Sequence, residues 1–290
     1  MDKCVFVHTN EKQWLGALVA EYSFRRNSSN PDAFEVKFIH TSDYPFLAAK
    51  EGQAFLRGGT TRVWRMDDLQ SFTPLRFLPP KLMNWQGRAV VTDPDVFAVG
   101  DVNELLDRDM GDTAVMGRHR SGKDDKQYQV ATSVLLMDCA RLKHWDVERD
   151  FDQLFTREKD YKESMVLAYE DPANIGYLED CWNDFDHLDE NTRLIHNTKR
   201  KTQPWKTGLP VDYTPADKFK DTPLLASLNR LRARVFGEYG LLGHYKAHPD
   251  RNQEAFFFGL LKECIETGHI SEDLVRDEIS KNHVRRDAFE

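Results

Sequence analysis

Apolar and polar positions follow two different periods along the first forty residues. Residues 5–8 form a short apolar run, and residues 34–39 alternate apolar with charged side chains, which predicts two β-strands. Residues 11–26 lie between them and place apolar side chains at helical spacing, namely Trp14, Leu15, Leu18, Val19 and Tyr22. Thr9 or Asn10 can cap this helix. A strand, a helix and a strand in this order predict a βαβ unit and a parallel sheet.

Further apolar runs predict additional strands at residues 89–91, 114–117, 131–137 and 192–195. A short helix is expected at residues 102–108, and residues 145–180 are expected to be mostly helical. Residues 118–129 are rich in both charges and predict a long polar loop. Strands that alternate with helices in this way predict an α/β fold.

The composition changes after Pro215. Beyond it the pattern predicts amphipathic helices at residues 224–239, 252–267 and 272–282. The Phe256-Phe257-Phe258 run suits a core, a dimer interface or an acceptor-docking face, and a core position is favoured. We therefore expect one domain at residues 1–215 and a C-terminal helical extension at residues 216–290, with homo-oligomerisation through these helices as a further expectation.

The composition narrows the functional classes. The chain has 290 residues with 40 basic and 48 acidic side chains, a formal net charge of −8, which argues against a nucleic-acid partner. The four cysteines lie far apart with no paired spacing, so neither a zinc site nor a disulfide framework is predicted. The N-terminal residues do not read as a signal peptide, and no stretch approaches the ~20 apolar residues of a membrane span. The expected location is cytoplasmic.

Asp93 and Asp95 directly follow the predicted strand at residues 89–91. In open α/β sheets, ligands bind beyond the carboxyl ends of the strands. Two ionised carboxylates this close repel each other, and a divalent cation relieves that repulsion. Oxygen ligands suit Mg²⁺ or Mn²⁺. Asp-Pro-Asp is equally typical of a plain turn, so both interpretations stay open.

A basic segment late in the first domain offers cationic partners for phosphate. It contains Arg193, Lys199, Arg200, Lys201 and Lys206. A diphosphate needs such donors, and the nearby His196 can join carboxylates as a metal ligand. A solvated basic turn is the alternative, although Trp205 beside Pro204 indicates that part of the segment packs against something.

Two other segments carry candidate contacts. Arg76 lies within the apolar run SFTPLRFLPP and needs an anionic partner, either an internal carboxylate or a nucleotide. His8, Thr9 and Asn10 follow the first strand and therefore lie at the same sheet edge. They suit contacts to a base or ribose, or simple helix capping.

The order of these segments resembles the GT-A nucleotide-diphospho-sugar transferases, in particular the retaining enzymes of glycosyltransferase family 8 that are glycogenin-like or bacterial galactosyltransferase-like. The resemblance covers residues 3–210 and is carried by SFTPLRF, VVTDPDVFAVGDVNELL, ATSVLLMDCARLKHW and HNTKRKTQPWKTG. It implies a GT-A, Rossmann-like fold with a mixed, mostly parallel sheet flanked by helices.

The resemblance also implies roles for individual residues. Asp93, Asp95 and His196 would bind Mn²⁺ or Mg²⁺. The family's lysine directly before Pro-Trp is Gln203 here, so Lys201 is favoured for the diphosphate and Lys206 comes second. The expected contacts to the nucleotide-sugar are His8, Thr9, Asn10, Arg76, Thr92, Pro94, Ser133, Lys201 and Lys206. Glu170 and Asp171 stand where the family has an acidic residue near the transferred sugar, with Asp171 a candidate nucleophile.

The resulting hypothesis is a metal-dependent glycosyltransferase that moves a sugar from a nucleoside diphosphate, with UDP favoured, to an acceptor hydroxyl with retention. The acceptor is a glycan, a lipid-linked glycan, a protein or a small polyol. A metal-dependent nucleotidyltransferase is a weaker alternative, because HTNEKQW after the first strand has no glycine run. A non-catalytic nucleotide-sugar-binding protein is the other alternative.

Overall fold

The computed structural model describes residues 2–68, 71–120, 129–213 and 242–289. In these ranges the strands are β1 Lys3–Thr9, β2 Glu35–His40, β3 Ala54–Arg57, β4 Thr60–Val63, β5 Arg88–Thr92, β6 Val96–Ala98, β7 Val115–His119, β8 Val130–Asp138, β9 Ile175–Leu178, β10 Asp184–Phe185 and β11 Leu194–His196. The α-helices are α1 Trp14–Arg26, α2 Pro45–Ala48, α3 Pro79–Leu82, α4 Val102–Leu106, α5 Val147–Thr156, α6 Tyr161–Ser164, α7 Arg251–Glu266 and α8 Glu272–Ser280.

A six-stranded mixed sheet in the order β2-β1-β5-β8-β7-β9 forms the centre of the fold. Strands β2, β1 and β5 run parallel, and β8 is antiparallel to both β5 and β7. The last pair, β7 and β9, is again parallel. The carboxyl ends of β1 and β5 therefore meet the amino end of β8 at one edge of the sheet.

Alternate residues of β1 enter two different hydrophobic clusters. Val5 and Val7 pack with α1 on one face, whereas Cys4 and Phe6 pack on the other face with the cluster that contains α5 residues. This alternation is the period of a strand that is buried on both faces. The predicted α/β fold, with a mixed sheet flanked by helices, is confirmed.

The C-terminal helices share the core of the rest of the chain. Phe257 of α7 and Val275 of α8 belong to the same cluster as Val5 and Trp205. The predicted helices at residues 252–267 and 272–282 are thus confirmed as α7 and α8, and Phe257 occupies a core position. The predicted helix at residues 224–239 lies outside the described residues, and the domain boundary at residue 215 stays a prediction.

The segment at residues 145–180 differs from the prediction, and the short strands β3, β4, β6 and β10 were not predicted. Residues 145–180 contain α5 and α6 but also the strand β9, which pairs with β7 through Val115 and Ile175. β9 has only four residues and begins directly after a 3-10 turn at Pro172–Asn174. A strand this short does not show a recognisable alternation of apolar and polar residues. Among the described residues, no helix has the length and apolar character needed to cross a membrane.

Candidate metal centre

Asp93 and Asp95 lie in a tight turn between β5 and β6. The Val96 N–H donates to the Asp93 carbonyl oxygen at 3.3 Å, which leaves Asp93 at the first position of the turn and Pro94 at the second. Helix α1 packs closely against this turn through Gly16, where a Cβ atom would lie 2.8 Å from the Pro94 oxygen. The turn interpretation of Asp-Pro-Asp is therefore correct, and the same turn presents both carboxylates at the sheet edge.

His196 reaches the two carboxylates through strand pairing. β11 is antiparallel to β6, and His196 lies opposite Val96, the residue after Asp95. The His196 Nε2 atom is 3.3 Å from Asp95 Oδ1 and 4.0 Å from Asp93 Oδ2. One potential ligand atom from each of the three residues lies within 4.8 Å of the other two. The structure thus brings together the three residues that the sequence proposed as metal ligands.

Asn183 fixes the orientation of the His196 ring. The Asn183 Nδ2 donates to Ser133 Oγ at 2.9 Å, so its Oδ1 faces His196 Nδ1, also at 2.9 Å, and accepts the proton of that nitrogen. The lone pair of His196 Nε2 then faces the two carboxylates, as a metal-ligating imidazole requires.

Three electron-rich atoms that face one another need a positive charge between them. The buried Asp95 Oδ1 has no hydrogen-bond partner. Burial alone would lower the pKa of His196, but Asp95 and Asp93 outweigh it and raise that pKa above its ordinary value. A proton on His196 would supply this positive charge. A divalent ion such as Mn²⁺ would supply it as well, because two carboxylates and one imidazole form a suitable donor set.

Asp93 is already paired on its other side. Its Oδ1 accepts from His8 Nε2 at 2.6 Å and from Arg76 Nε at 2.9 Å, and Arg76 also donates to Oδ2. Burial would raise the pKa of the Asp93 carboxyl, but Arg76 and His8 hold it below its ordinary value. Burial lowers the pKa of His8, although Asp93 opposes this. The internal salt bridge considered for Arg76 is therefore present, and Arg76 is fixed further by donating to Thr132 Oγ1 at 2.9 Å.

Asp95 is held by an uncharged partner instead. Gln203 Nε2 donates to Asp95 Oδ2 at 3.1 Å, and Gln13 Nε2 donates to Gln203 Oε1 at 3.3 Å. The backbone carbonyl of Asp95 accepts from the Asn197 N–H at 3.0 Å. The two carboxylates of the pair therefore differ in charge compensation, since only Asp93 has an arginine partner.

The three residues open into a cleft of about 1720 Å³. Its described basic lining residues are Arg57, Arg76, Arg118, Arg120, Lys162, Lys199, Arg200 and Lys201. Its described acidic lining residues are Asp93, Asp95, Asp160, Glu163 and Asp180. A cleft with this volume and an excess of cationic side chains suits a large anionic ligand.

Most of the predicted nucleotide-sugar contacts lie at this edge. His8 contacts Asp93, and the cleft is lined by Arg76, Pro94, Ser133 and Lys201, whose Nζ donates to the Leu242 oxygen at 3.0 Å. Thr9 and Thr92 are buried at the ends of β1 and β5. The Asn10 side chain accepts from the Gln13 N–H at 3.2 Å and caps the 3-10 turn at Glu11–Gln13, so the capping alternative holds for this residue.

Three predicted residues lie elsewhere. Lys206 is fully buried with its Nζ 2.9 Å from Asp212 Oδ2, away from the cleft lining. Glu170 accepts hydrogen bonds from Trp145 Nε1 and Asn174 Nδ2, and lines a separate small pocket behind α5 and α6. Asp171 caps the 3-10 turn at Pro172–Asn174. The structure does not bring these three side chains to the metal centre.

Sequence reasoning missed the amide residues around the centre. Asn183 and Gln13 were not among the predicted site residues, and Gln203 entered only as the replacement of a lysine. An amide carries no signal of its own in a single sequence, but the position of Gln203 between the basic residues and Pro204-Trp205 was a usable indication.

No protein-family model matches the sequence. No curated protein matches it either. Among solved structures, the chain is similar to the galactosyltransferase LgtC in complex with donor and acceptor sugar analogues, with 16% identity, 70% of this chain and 89% of that chain covered, and a TM-score of 0.49.

Two further solved structures are similar to this chain. For the glycosyltransferase GlyE of Streptococcus pneumoniae TIGR4, the identity is 14%, the coverage 93% of this chain and 64% of that chain, and the TM-score 0.49. For mouse xyloside xylosyltransferase 1, the identity is 12%, the coverage 69% and 98%, and the TM-score 0.43. The chain thus spans less than two thirds of the GlyE chain. All three proteins are named as sugar-transferring enzymes.

Proposed function

We propose that this protein is a metal-dependent glycosyltransferase that moves a sugar from a nucleoside-diphosphate donor to an acceptor hydroxyl. The observation that carries the proposal is the convergence of Asp93, Asp95 and His196 at the end of β5, with the His196 Nε2 lone pair and Asp95 Oδ1 facing each other at 3.3 Å. This donor set suits Mn²⁺ or Mg²⁺, which keep coordination positions for phosphate oxygens. The resemblance to the GT-A nucleotide-diphospho-sugar transferases implies UDP as the favoured nucleotide.

The cationic lining supports a diphosphate beside the ion. Lys199, Arg200 and Lys201 follow His196 within five residues and line the same cleft. Lysine and arginine offset phosphate charge at close range. Because Lys206 is committed to Asp212, we assign the diphosphate to this group of three, with Lys201 as the favoured member.

In the proposed reaction, the bond between the anomeric carbon and the diphosphate oxygen breaks, and a bond from that carbon to the acceptor oxygen forms on the same face. The acceptor proton passes to an oxygen of the leaving diphosphate. Bound Mn²⁺ or Mg²⁺ supplies Lewis-acid stabilisation of the departing charge. Lys199, Arg200 and Lys201 add electrostatic stabilisation at the leaving group, and Arg76 keeps Asp93 ionised and oriented.

The engagement of the other cleft carboxylates supports this same-face route over a covalent intermediate. Asp160 accepts from the N–H groups of Gly58 and Gly59, each at 2.8 Å. Asp180 pairs with Arg118 at 2.8 Å, and Glu163 accepts from the Tyr169 hydroxyl at 2.7 Å. Asp160 thus has both oxygens engaged by these contacts, and Asp180 and Glu163 each have at least one oxygen engaged, whereas a nucleophile needs a free oxygen aimed at the sugar.

The proposal is tested with the full chain, Mn²⁺ and a panel of UDP-sugars. Donors that bind are identified by the rise in unfolding temperature. We then expect slow, Mn²⁺-dependent release of UDP, and acceptor sugars, polyols and lipid-linked glycans are screened for faster release. Asp95→Ala should lose Mn²⁺ binding and UDP release, whereas the control Asp112→Ala, an exposed aspartate on the α4–β7 connection, should keep both. Release of sugar 1-phosphate instead of UDP would indicate a nucleotidyltransferase, and binding without any release would indicate a non-catalytic protein.

A further inference from the structure

We infer that Gln203 is the positioning residue for Asp95, and that Gln13 acts through Gln203, so that two buried amides in series set the geometry of the ion site. The inference deepens the proposed function and rests on it, because it concerns how the protein prepares one of the three ligands. The juxtaposition that carries it is Gln13 to Gln203 to Asp95.

The direction of the two hydrogen bonds is determined by the chemistry of the groups. An ionised Asp95 can only accept, so the nitrogen of the Gln203 amide must face Asp95 Oδ2, at 3.1 Å. The Gln203 oxygen then points away and accepts from Gln13 Nε2 at 3.3 Å. If either amide were rotated by half a turn, two acceptors or two donors would face each other in a buried site. The series therefore has one arrangement in which no two like groups face each other, although Gln13 Oε1 is buried without a hydrogen-bond partner in it.

Both amides are almost completely removed from water. Gln13 and Gln203 are each 1% exposed. Gln13 lies in the 3-10 turn after β1, which Asn10 caps, and Gln203 precedes Trp205, whose ring stacks on Phe257 with centroids 4.6 Å apart. Hydrogen bonds in such a dry environment are stronger and more orienting than at the surface. The amides consequently hold Asp95 in one rotamer.

The two carboxylates of the ion site therefore have different partners. Gln203 satisfies Asp95 Oδ2 without adding charge, and leaves Oδ1 without a hydrogen bond, 3.3 Å from His196 Nε2. Asp93 by contrast is compensated by Arg76. Asp95 therefore has no arginine partner of the kind that Asp93 has, and its Oδ1 faces His196 while Gln203, a neutral neighbour, orients the carboxylate.

The test measures Mn²⁺ affinity of the full chain without nucleotide, by electron paramagnetic resonance of free Mn²⁺ and by calorimetry. Gln203→Met keeps the length of the side chain and removes the donor. Loss of such an outer partner typically weakens metal binding by about 10- to 100-fold, and we expect this range. Gln13→Met should weaken binding in the same direction but less. Gln153→Met on α5, remote from the cleft, is the matched control and should bind like the wild type.

The double variant separates positioning from general destabilisation. If Gln13 acts only through Gln203, Gln13→Met combined with Gln203→Met should bind Mn²⁺ no more weakly than Gln203→Met alone, because coupled residues are not additive. The inference would be overturned if the fold-losses of the two single variants multiply in the double variant, or if Gln203→Met binds Mn²⁺ like the wild type. Neither result would contradict the metal site itself. If Gln203→Met does not fold, Gln13→Met alone decides, since unchanged affinity contradicts the series. A wild-type protein that binds neither Mn²⁺ nor Mg²⁺ overturns both this inference and the proposed function.

Discussion

At the scale of single residues, neighbouring lysines of one basic segment have different surroundings. Lys201 lines the cleft, whereas Lys206 is fully buried, 2.9 Å from Asp212 Oδ2 and over the ring of Tyr245. The Tyr245 hydroxyl donates to the other oxygen of Asp212 at 2.6 Å. Burial lowers the pKa of Lys206, and Asp212 opposes this shift. Lys206 thus contributes to the fold through a buried ion pair that connects residues 204–213 with residues 242–245.

Removing one member of this ion pair should be costly. Asp212→Asn leaves the Lys206 ammonium group buried without a compensating charge, and we expect the free energy of unfolding to fall by about 3 kcal/mol. Urea unfolding followed by circular dichroism measures it. In the exposed Lys262–Glu266 pair of α7, Glu266→Gln should change stability by less than about 0.5 kcal/mol. Equal effects of the two substitutions would contradict the structural role of Lys206.

The grouping of the three proposed metal ligands was predictable because each one has a local signal. Asp93 and Asp95 follow an apolar strand, and His196 follows another within a basic segment. Their partners were not predictable, since Gln13 and Gln203 are separated by 190 residues and are brought together only by the packing of the 3-10 turn after β1 against the segment after β11. The burial of Lys206 against Asp212 was not predictable either, because no sequence pattern shows whether a lysine faces the cleft or an internal carboxylate.

At the scale of elements, helix α7 supports the segment that carries His196. Phe257 is completely buried between Trp205 and Phe97, with ring centroids 4.6 and 5.5 Å away. The Gln253 oxygen accepts from Asn197 Nδ2 at 2.7 Å, and Asn197 is the residue after His196.

The short strand β9 could not be predicted from the alternation of apolar and polar residues, because it is recognised only through its pairing with β7. Elements with an apolar run or an amphipathic period of their own were therefore predictable, and β9 was not.

The phenylalanine run of α7 allows a matched test of this support. Phe257→Ala removes a fully buried ring and should lower the free energy of unfolding by about 3–5 kcal/mol. Phe256→Ala removes the same ring from a partly exposed position and should cost clearly less. Differential scanning calorimetry of the two variants measures the difference. Equal losses would mean that α7 is not part of the core.

At the scale of the whole molecule, buried carboxylates stabilise separate regions. The partners are Arg76 and His8 for Asp93, Lys206 and Tyr245 for Asp212, and Asn174 and Trp145 for Glu170. In each case burial would raise the pKa, yet the partners lower it below its ordinary value. The order of the longer strands and helices was predictable from apolar periodicity, but these pairings join distant segments and required the structure.

Asp160 belongs to the same group and allows the acid stability of the fold to be tested. It accepts from the Gly58 and Gly59 N–H groups of the β3–β4 turn at 2.8 Å each and caps α6. Burial would raise the pKa of Asp160, but these donors hold it below the ordinary value. A carboxyl whose pKa is lower in the folded state makes the folded protein bind fewer protons, so its contribution is present above the unfolded pKa of about 4 and is lost as the pH falls towards the folded value.

We therefore expect the free energy of unfolding to decrease as the pH falls below about 5. Asp160→Asn cannot ionise, so it should be less stable than the wild type near neutral pH, and the two curves should converge in acid. Urea unfolding across this pH range measures both curves, with the exposed Asp112→Asn as the control that follows the wild type throughout. Parallel curves for Asp160→Asn and the wild type would mean that the ionised carboxylate does not hold the β3–β4 turn to α6. Convergence would assign to this one ionised side chain the contact that holds the β3–β4 turn to the start of α6.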